Sequence, residues 1–237
     1  MKYLYDLHMH TKEGSDGSPV KDMAAYYHEM GYAGFCVTDH LTGSSAVPEG
    51  APWKDRVDRI WEVTGQAAAE AGKYGLSVFP GLEYSIRRSA DRFLPCTGND
   101  FVFLNVSRDW MLDSEDLFDL RYTELFKKAR EAGVFIIHAH PFLEAWYMTH
   151  GIILCPREVD AVEIYNGHVS DECNERARWY CREYGLLPVA GSDNHTPDRE
   201  RRTGVATDRR CDTVEELLEA VRTRRAEPFL EKLTPAE

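Results

Sequence analysis

The chain has 237 residues, and its 40 Asp and Glu outweigh 28 Lys and Arg to leave a formal net charge of −12. A content of 43% hydrophobic and 29% charged residues excludes disordered and low-complexity classes, and the acidity discourages anionic membranes and long nucleic acids as partners. Its 6 cysteines form no CxxC pair, and no run is apolar enough for a membrane span or a secretion signal, so a cytoplasmic protein with reduced thiols is expected.

Tyr3 to Leu7 predicts a first strand, after which Ser18-Pro19 supplies an N-cap and a first-turn proline for a helix running to Met30 and ended by Gly31. Phe35 to Thr38 is the second predicted strand. Trp53, Val57, Ile60, Thr64, Ala68 and Ala71 recur at helical spacing until Gly75, and Ser77 to Leu82 follows as a third strand. Phe101 to Val106 is a fourth, a helix is expected over Tyr122 to Ala132, and Val134 to Ile137 is a fifth. Ala161 to Tyr165 precedes a helix with Cys173, Ala177, Tyr180 and Tyr184 on one face, and Leu187 to Ala190 is a seventh strand. Thr213 and Glu216 have capping-box spacing at the start of a last helix. This alternation predicts an α/β fold, a distorted seven-stranded (β/α) TIM-like barrel forming a single domain over residues 1–237.

Metal-ligand residue types fall where these strands end. His8 and His10 follow the first, Asp39-His40 the second, Glu83 the third, His138 and His140 the fifth, and Asp193 and His195 the seventh. In a βα barrel the C-terminal strand ends meet at one rim, so these residues are expected to share a pocket. Asp39 reads as a turn cap or a hydrogen-bond partner of His40 rather than a ligand. Imidazole and carboxylate without thiolate suit zinc, manganese or iron rather than calcium. With Asp16 the set exceeds what one ion requires, which implies two or three divalent ions. Neighbouring ions can share a bridging carboxylate and hydroxide, acidify that water and clamp a tetrahedral centre, which points to hydrolysis of a small phosphate ester.

Asp-Leu-His-Met-His-Thr at 6–11, Ser-Asp-Gly at 15–17, Thr-Asp-His at 38–40, Gly-Leu-Glu at 81–83, Ala-His-Pro at 139–141 and Gly-Ser-Asp-Asn-His-Thr at 191–196 carry a family resemblance. In order and across the whole chain they resemble the motifs of the PHP (polymerase and histidinol phosphatase) family of metal-dependent phosphoesterases. The resemblance implies a distorted barrel and a metal-bridging hydroxide as nucleophile. It further implies His8, His10, Glu83 and Asp193 as ligands of one ion, Glu83 and His140 of a second, and Asp16, His40 and His195 of a third, with Glu83 as the bridge. Many members place a ligand histidine in the strand between the Glu and His-Pro motifs. Here Asn99 to Val106 contains none; Asp100 aligns with that position better than Asn105, and the second ion is expected to be bound with Asp100 or the extra His138, bound weakly, or missing.

Arg87, Arg88 and Arg92 after Glu83, and Arg199, Arg201 and Arg202 after the last motif, are candidates to grip phosphate, against the plainer reading of solvated loops. Arg87, Arg88 and His168 are the substrate-binding candidates, with Trp146 and Tyr147 as an apolar wall. The resemblance leaves histidinol phosphate, nucleotides, short oligonucleotides and cyclic nucleotides open, and a small soluble ester ranks first because the chain has no room for a large inserted domain. A competing reading is a non-catalytic, metal-bound barrel that stabilises or regulates a partner. An amidohydrolase is a further one, but its usual carboxylated lysine has no counterpart at the end of a predicted strand.

Overall fold

The computed structural model describes residues 2–41, 44–86, 99–144, 152–198 and 200–233. Its strands are β1 (Tyr3–Asp6), β2 (Gly34–Val37), β3 (Ser77–Ser85), β4 (Asp100–Leu104), β5 (Phe135–His138), β6 (Ala161–Asn166), β7 (Leu187–Gly191), β8 (Arg201–Thr207) and β9 (Glu227–Lys232). The helices are α1 (Val20–Glu29), α2 (Trp53–Gly72), α3 (Arg108–Leu112), α4 (Tyr122–Glu131), α5 (Asp171–Glu183) and α6 (Val214–Arg222), with a 3-10 turn at Glu115–Phe118. None of the described helices is long and apolar enough to cross a membrane.

The expected seven-stranded parallel barrel is corrected. The nine strands among the described residues join one mixed sheet in the order β7-β6-β5-β4-β3-β2-β1-β8-β9. β1–β2, β2–β3, β5–β6 and β6–β7 are parallel, whereas β4 runs antiparallel to both neighbours and β8 runs antiparallel to β1 and β9. Parallel neighbours need a crossover, usually a helix, while an antiparallel return needs only a loop. Among the described residues no helix lies between β7 and β8, and β4 and β8 each enter the sheet reversed relative to β3 and β1. Asp100, the first residue of β4, therefore lies opposite Ser85, the last of β3.

β8 and β9 lie outside the predicted strands. The β8 sequence Arg-Arg-Thr-Gly-Val-Ala-Thr opens on charges that read as loop, and β9 is a short edge strand containing Pro228. Gly204 admits β8 to its place, because a Cβ there would overlap the Tyr5 carbonyl oxygen of β1.

Side-chain alternation sorts the core. Tyr5, Phe79, Val102, Leu104, Phe135, Ile137, Ala161, Val189 and Val205 form the interior, joined by Leu217, Leu218 and Val221 of α6. The opposite faces of β3 and β4, carrying Leu82, Tyr84, Phe101 and Phe103, pack against α2, α3 and α4, while Val162 packs on α5. α1 and α2 cover β2 through Met23, Tyr27, Phe35, Val63 and Ala67. The sheet comes close to closing on itself at the rim. There Met9 bridges Asn194, the Asp193 amide donates to the His8 carbonyl at 2.8 Å, and the His10 amide donates to the Asn194 carbonyl at 2.9 Å.

Candidate metal centre

The same alternation that buries Phe79 in the interior sends Glu83, two pleats further along β3, into the mouth of the sheet, where it is 1% exposed. His40 continues β2 and bridges Glu83 in parallel, with the Glu83 amide donating to the Asp39 carbonyl at 3.1 Å. His8 and His10 continue β1 along the closing seam. His140 and Asp193, just beyond β5 and β7, hold φ of 23° and 59°, a region costly for non-glycine residues and kept only where surrounding contacts fix it. Those contacts are present: Glu163 accepts the His140 amide at 2.8 Å, and the His8 carbonyl accepts that of Asp193.

Asp16 arrives from a loop. Asp39 accepts the Thr11 amide at 2.6 Å and the Thr11 and Ser15 hydroxyls at 2.7 Å, and a Cβ at Gly14 would overlap its carboxylate. Asp39 thus anchors the turn whose tip places Asp16 Oδ1 3.3 Å from His195 Nε2 and 3.8 Å from His40 Nε2.

The eight side chains form three adjoining groups whose donor atoms lie within 4.8 Å of one another: His10, Asp16, His40 and His195; His8, Glu83 and His140; and His8, His10 and Asp193. His8 and His10 each belong to two groups, so the sets overlap more than the motif resemblance implied. Glu83 faces four imidazoles, with His40 Nδ1 at 2.8 Å, His140 Nε2 at 3.2 Å, His10 Nε2 at 3.4 Å and His8 Nε2 at 3.5 Å. Asp193 Oδ1 lies 3.1 Å from His10 Nε2 and 3.6 Å from His8 Nε2.

The residues fit divalent ions. Two donors each at about 2.1 Å from one tetrahedral ion would stand about 3.4 Å apart, the scale of these separations. His8 Nε2 and His10 Nε2 face each other at 3.3 Å, an acceptor-to-acceptor approach unless a cation intervenes or one ring nitrogen is protonated. Oε2 of Glu83, buried in the middle, has no hydrogen bond of good geometry.

Without a metal the charges compensate one another. Burial pulls the imidazole of His40 down, yet Glu83 and Asp16 more than reverse this and bring it to about 9. His140 is raised to about 10 against the same burial by Glu83 and Asp193, and His8 is raised by Asp193, Glu163 and Glu83. Burial raises the carboxyl groups of Asp193 and Glu83, but the histidines outweigh it and hold both low. His10 falls to about 3 through burial and the neighbouring His40 charge.

Two carboxylates of this region were not singled out from sequence. Asp6, fully buried, accepts the His8 and Ser192 amides at 3.1 and 2.9 Å and the Tyr27 hydroxyl at 2.7 Å, tying β1 to the Asp193 segment. Glu163 shares the interior parity of Ala161 on β6, and an acid alternating with a buried small residue was the signal available.

His138 shares the outward parity of Ile136 rather than the inward parity of Ile137. It stacks on Phe101 at 4.7 Å, both ring nitrogens lack partners, burial lowers it to about 3, and it belongs to none of the ligand groups. Asp100 also lies outside the groups, buried at the rim with Oδ1 unpartnered and raised to about 6 by burial and the charge of Glu83. Asn105 donates to the Gly133 carbonyl at 3.0 Å instead. His168 Nε2 lies 3.2 Å from Asn194 Oδ1, its ring perpendicular to His195 at 6.4 Å, on the wall of a cleft of about 570 Å³. Arg201 holds the Gly167 and Val169 carbonyls and Arg202 pairs with Glu231, both structural uses. Arg87, Arg88, Arg92, Trp146, Tyr147 and Arg199 lie outside the described residues.

The model of the PHP-associated family matches residues 171–226, and no curated protein matches the chain. Among solved structures, a two-domain protein of Bacteroides vulgatus with an inferred PHP-like metal-dependent phosphoesterase unit is 18% identical at a TM-score of 0.67, covering 97% of this chain. This chain spans 65% of that protein's length. PsfC of Pseudomonas syringae is 17% identical at a TM-score of 0.64, covering 99% of this chain and 92% of its own. The lesion-specific endonuclease PfuEndoQ of Pyrococcus furiosus is 14% identical at a TM-score of 0.59, covering 99% of this chain and 60% of its own. The resemblance read from the six motifs stands: in its fold and its PHP-associated segment the chain is PHP-like.

Proposed function

We propose that residues 1–237 form a metal-dependent phosphoesterase domain that hydrolyses a small phosphate ester in the cytoplasm. His8, His10, Asp16, His40, Glu83, His140, Asp193 and His195 would hold two or three divalent ions of zinc, manganese or iron, with Glu83 between them. The observation carrying this reading is the convergence of donors from the ends of β1, β2, β3, β5 and β7 into adjoining groups within 4.8 Å. When bound, such ions acidify a water and stabilise charge on phosphoryl oxygens.

The chain's own side chains supply the rest. Glu83, Asp193 and Asp16 would offset part of the ionic charge, with Glu163 beside His8 offsetting more, so three bound ions rather than two would leave the mouth cationic towards a phosphate. His168, whose ring lies 6.4 Å from that of His195, is the side chain proposed to contact the ester. Arg87 and Arg88, following β3, are the proposed phosphate grips. The likeness to an endonuclease favours one competing substrate, damaged DNA, while the net charge of −12 favours a small ester.

Elemental analysis of the purified chain, paired with turnover of p-nitrophenyl phosphate and its bis-ester before and after chelation, tests the reading. At least two bound ions and chelator-sensitive turnover are expected. Asp193→Ala should lose activity by more than the roughly 10–100-fold typical of outer hydrogen-bond partners, together with metal. Metal-replete protein inert towards a broad ester panel would favour the non-catalytic reading, and cleavage confined to lesion-bearing duplexes would replace the small ester with DNA.

A further inference from the structure

We infer that Glu163 is a positioning residue that sets occupancy of the two ligand groups sharing His8, while the group around Asp16 is independent of it. The inference rests on the metal-centre reading above. Glu163 is 2% exposed, and among the described residues its carboxylate meets two N–H donors and one imidazole nitrogen. Oε1 lies 3.1 Å from His8 Nδ1, and Oε2 accepts the His140 amide at 2.8 Å and the Asn166 side-chain amide at 2.9 Å. Asn166 Nδ2 lies in turn 3.4 Å from Asp193 Oδ2. One carboxylate thereby reaches three ligand residues that come from β1, β5 and β7.

The consequence for each ligand is specific. A carboxylate at His8 Nδ1 keeps the proton there and leaves the Nε2 lone pair facing Glu83 and Asp193, the orientation a metal ligand requires. The bond to the His140 amide supports the left-handed backbone that brings its ring Nε2 to 3.2 Å from Glu83. Gly191 makes this arrangement possible, because a Cβ there would overlap both His8 and Glu163 Oε1. None of the hydrogen bonds made by Glu163 reaches Asp16, His40 or His195.

Charge, not shape alone, is what the position demands. Glutamine at 163 has the same outline but must turn its NH2 towards one of these donors. Turned to His140 and Asn166, it opposes their N–H groups. Turned to His8, it converts Nδ1 into an acceptor and moves the proton to Nε2, which blocks that nitrogen as a ligand.

The test uses the whole chain loaded with Zn2+ and labelled with 15N-histidine, and compares wild type with Glu163→Gln and His195→Ala. Long-range 1H–15N spectra of the wild type should show His8 protonated at Nδ1 and ligating through Nε2. Competition titration of Glu163→Gln should show affinity about 10–100-fold lower for the ions that His8 serves, with the His8 proton moved to Nε2. The ion lost in His195→Ala should bind Glu163→Gln as it binds wild type. Unchanged affinity and tautomer in Glu163→Gln overturn the inference, and so does equal weakening of every ion, which would mark a merely structural role. If Glu163→Gln does not fold, the wild-type spectrum decides, and His8 ligating through Nδ1 overturns it. A chain that binds ions but hydrolyses no phosphate ester refutes the phosphoesterase reading alone, and a chain that binds none refutes both.

Discussion

Glu83 stands among four imidazoles, and the metal-free chain answers that crowding with protons. With His40 at about 9 and His140 at about 10, both rings are cationic at neutral pH, so a metal must expel protons to bind. Their folded values lie above the ordinary 6.5, so the stability they contribute is fully present below 6.5 and is lost as pH rises through 9 to 10. The depressed carboxylates Asp193 and Glu83 act oppositely, contributing above their ordinary 3.8 and 4.5 and losing it as pH falls. Metal-free protein should therefore melt progressively lower from pH 6.5 towards pH 10, while its metal affinity rises over the same interval. Thermal melts and calorimetric metal titrations in buffers of differing ionisation enthalpy would show this, and a melting curve flat from pH 6 to 10 would refute it. Seven of the eight proposed ligands were legible because histidine and acid at strand ends are conspicuous against apolar strands, and Asp16, in a loop, was legible through its Ser-Asp-Gly motif. Glu163 was not, since one acid inside a strand reads equally well as part of a solvated face. Only knowledge of which parity faces inward, through Ala161, separates the two.

At the scale of elements, sequence pattern was most informative where a strand hands over to a helix. The Thr213 capping box and the apolar stripe of α6 were readable because their spacing is local, and the structure shows both cap bonds formed. Strand direction was not readable in this way. β4 carries the same apolar residues whether it runs up or down, and its reversal is fixed by pairing with β3 and β5, which no local pattern records. β8 was hidden by its leading arginines, although Thr203, Val205 and Thr207 beyond them are buried. Its place depends on Gly204 lying against Tyr5. Gly204→Ala should cost about 1–3 kcal/mol, the usual penalty for overpacking a fitted interior, because the obstructing atom is backbone and cannot rotate aside. Chemical denaturation would measure the loss, and a variant as stable as the parent would show that β1 and β8 separate easily.

Over the whole molecule, the sheet's near-closure and the candidate centre occupy one seam, where His8 and His10 bond to the segment carrying Asp193 and Asn194. Chelation should therefore speed hydrogen exchange at the His10 and Asp193 amides more than at β2 or β3, as exchange mass spectrometry can resolve. Equal protection with and without metal would separate closure from loading. That seam also joins positions lying most of the chain apart, a contact that must wait for the intervening strands and whose loop entropy is met late. Ions seated there would act on the last step of assembly, lengthening the lifetime of the native state by slowing its opening while leaving the rate of refolding nearly untouched.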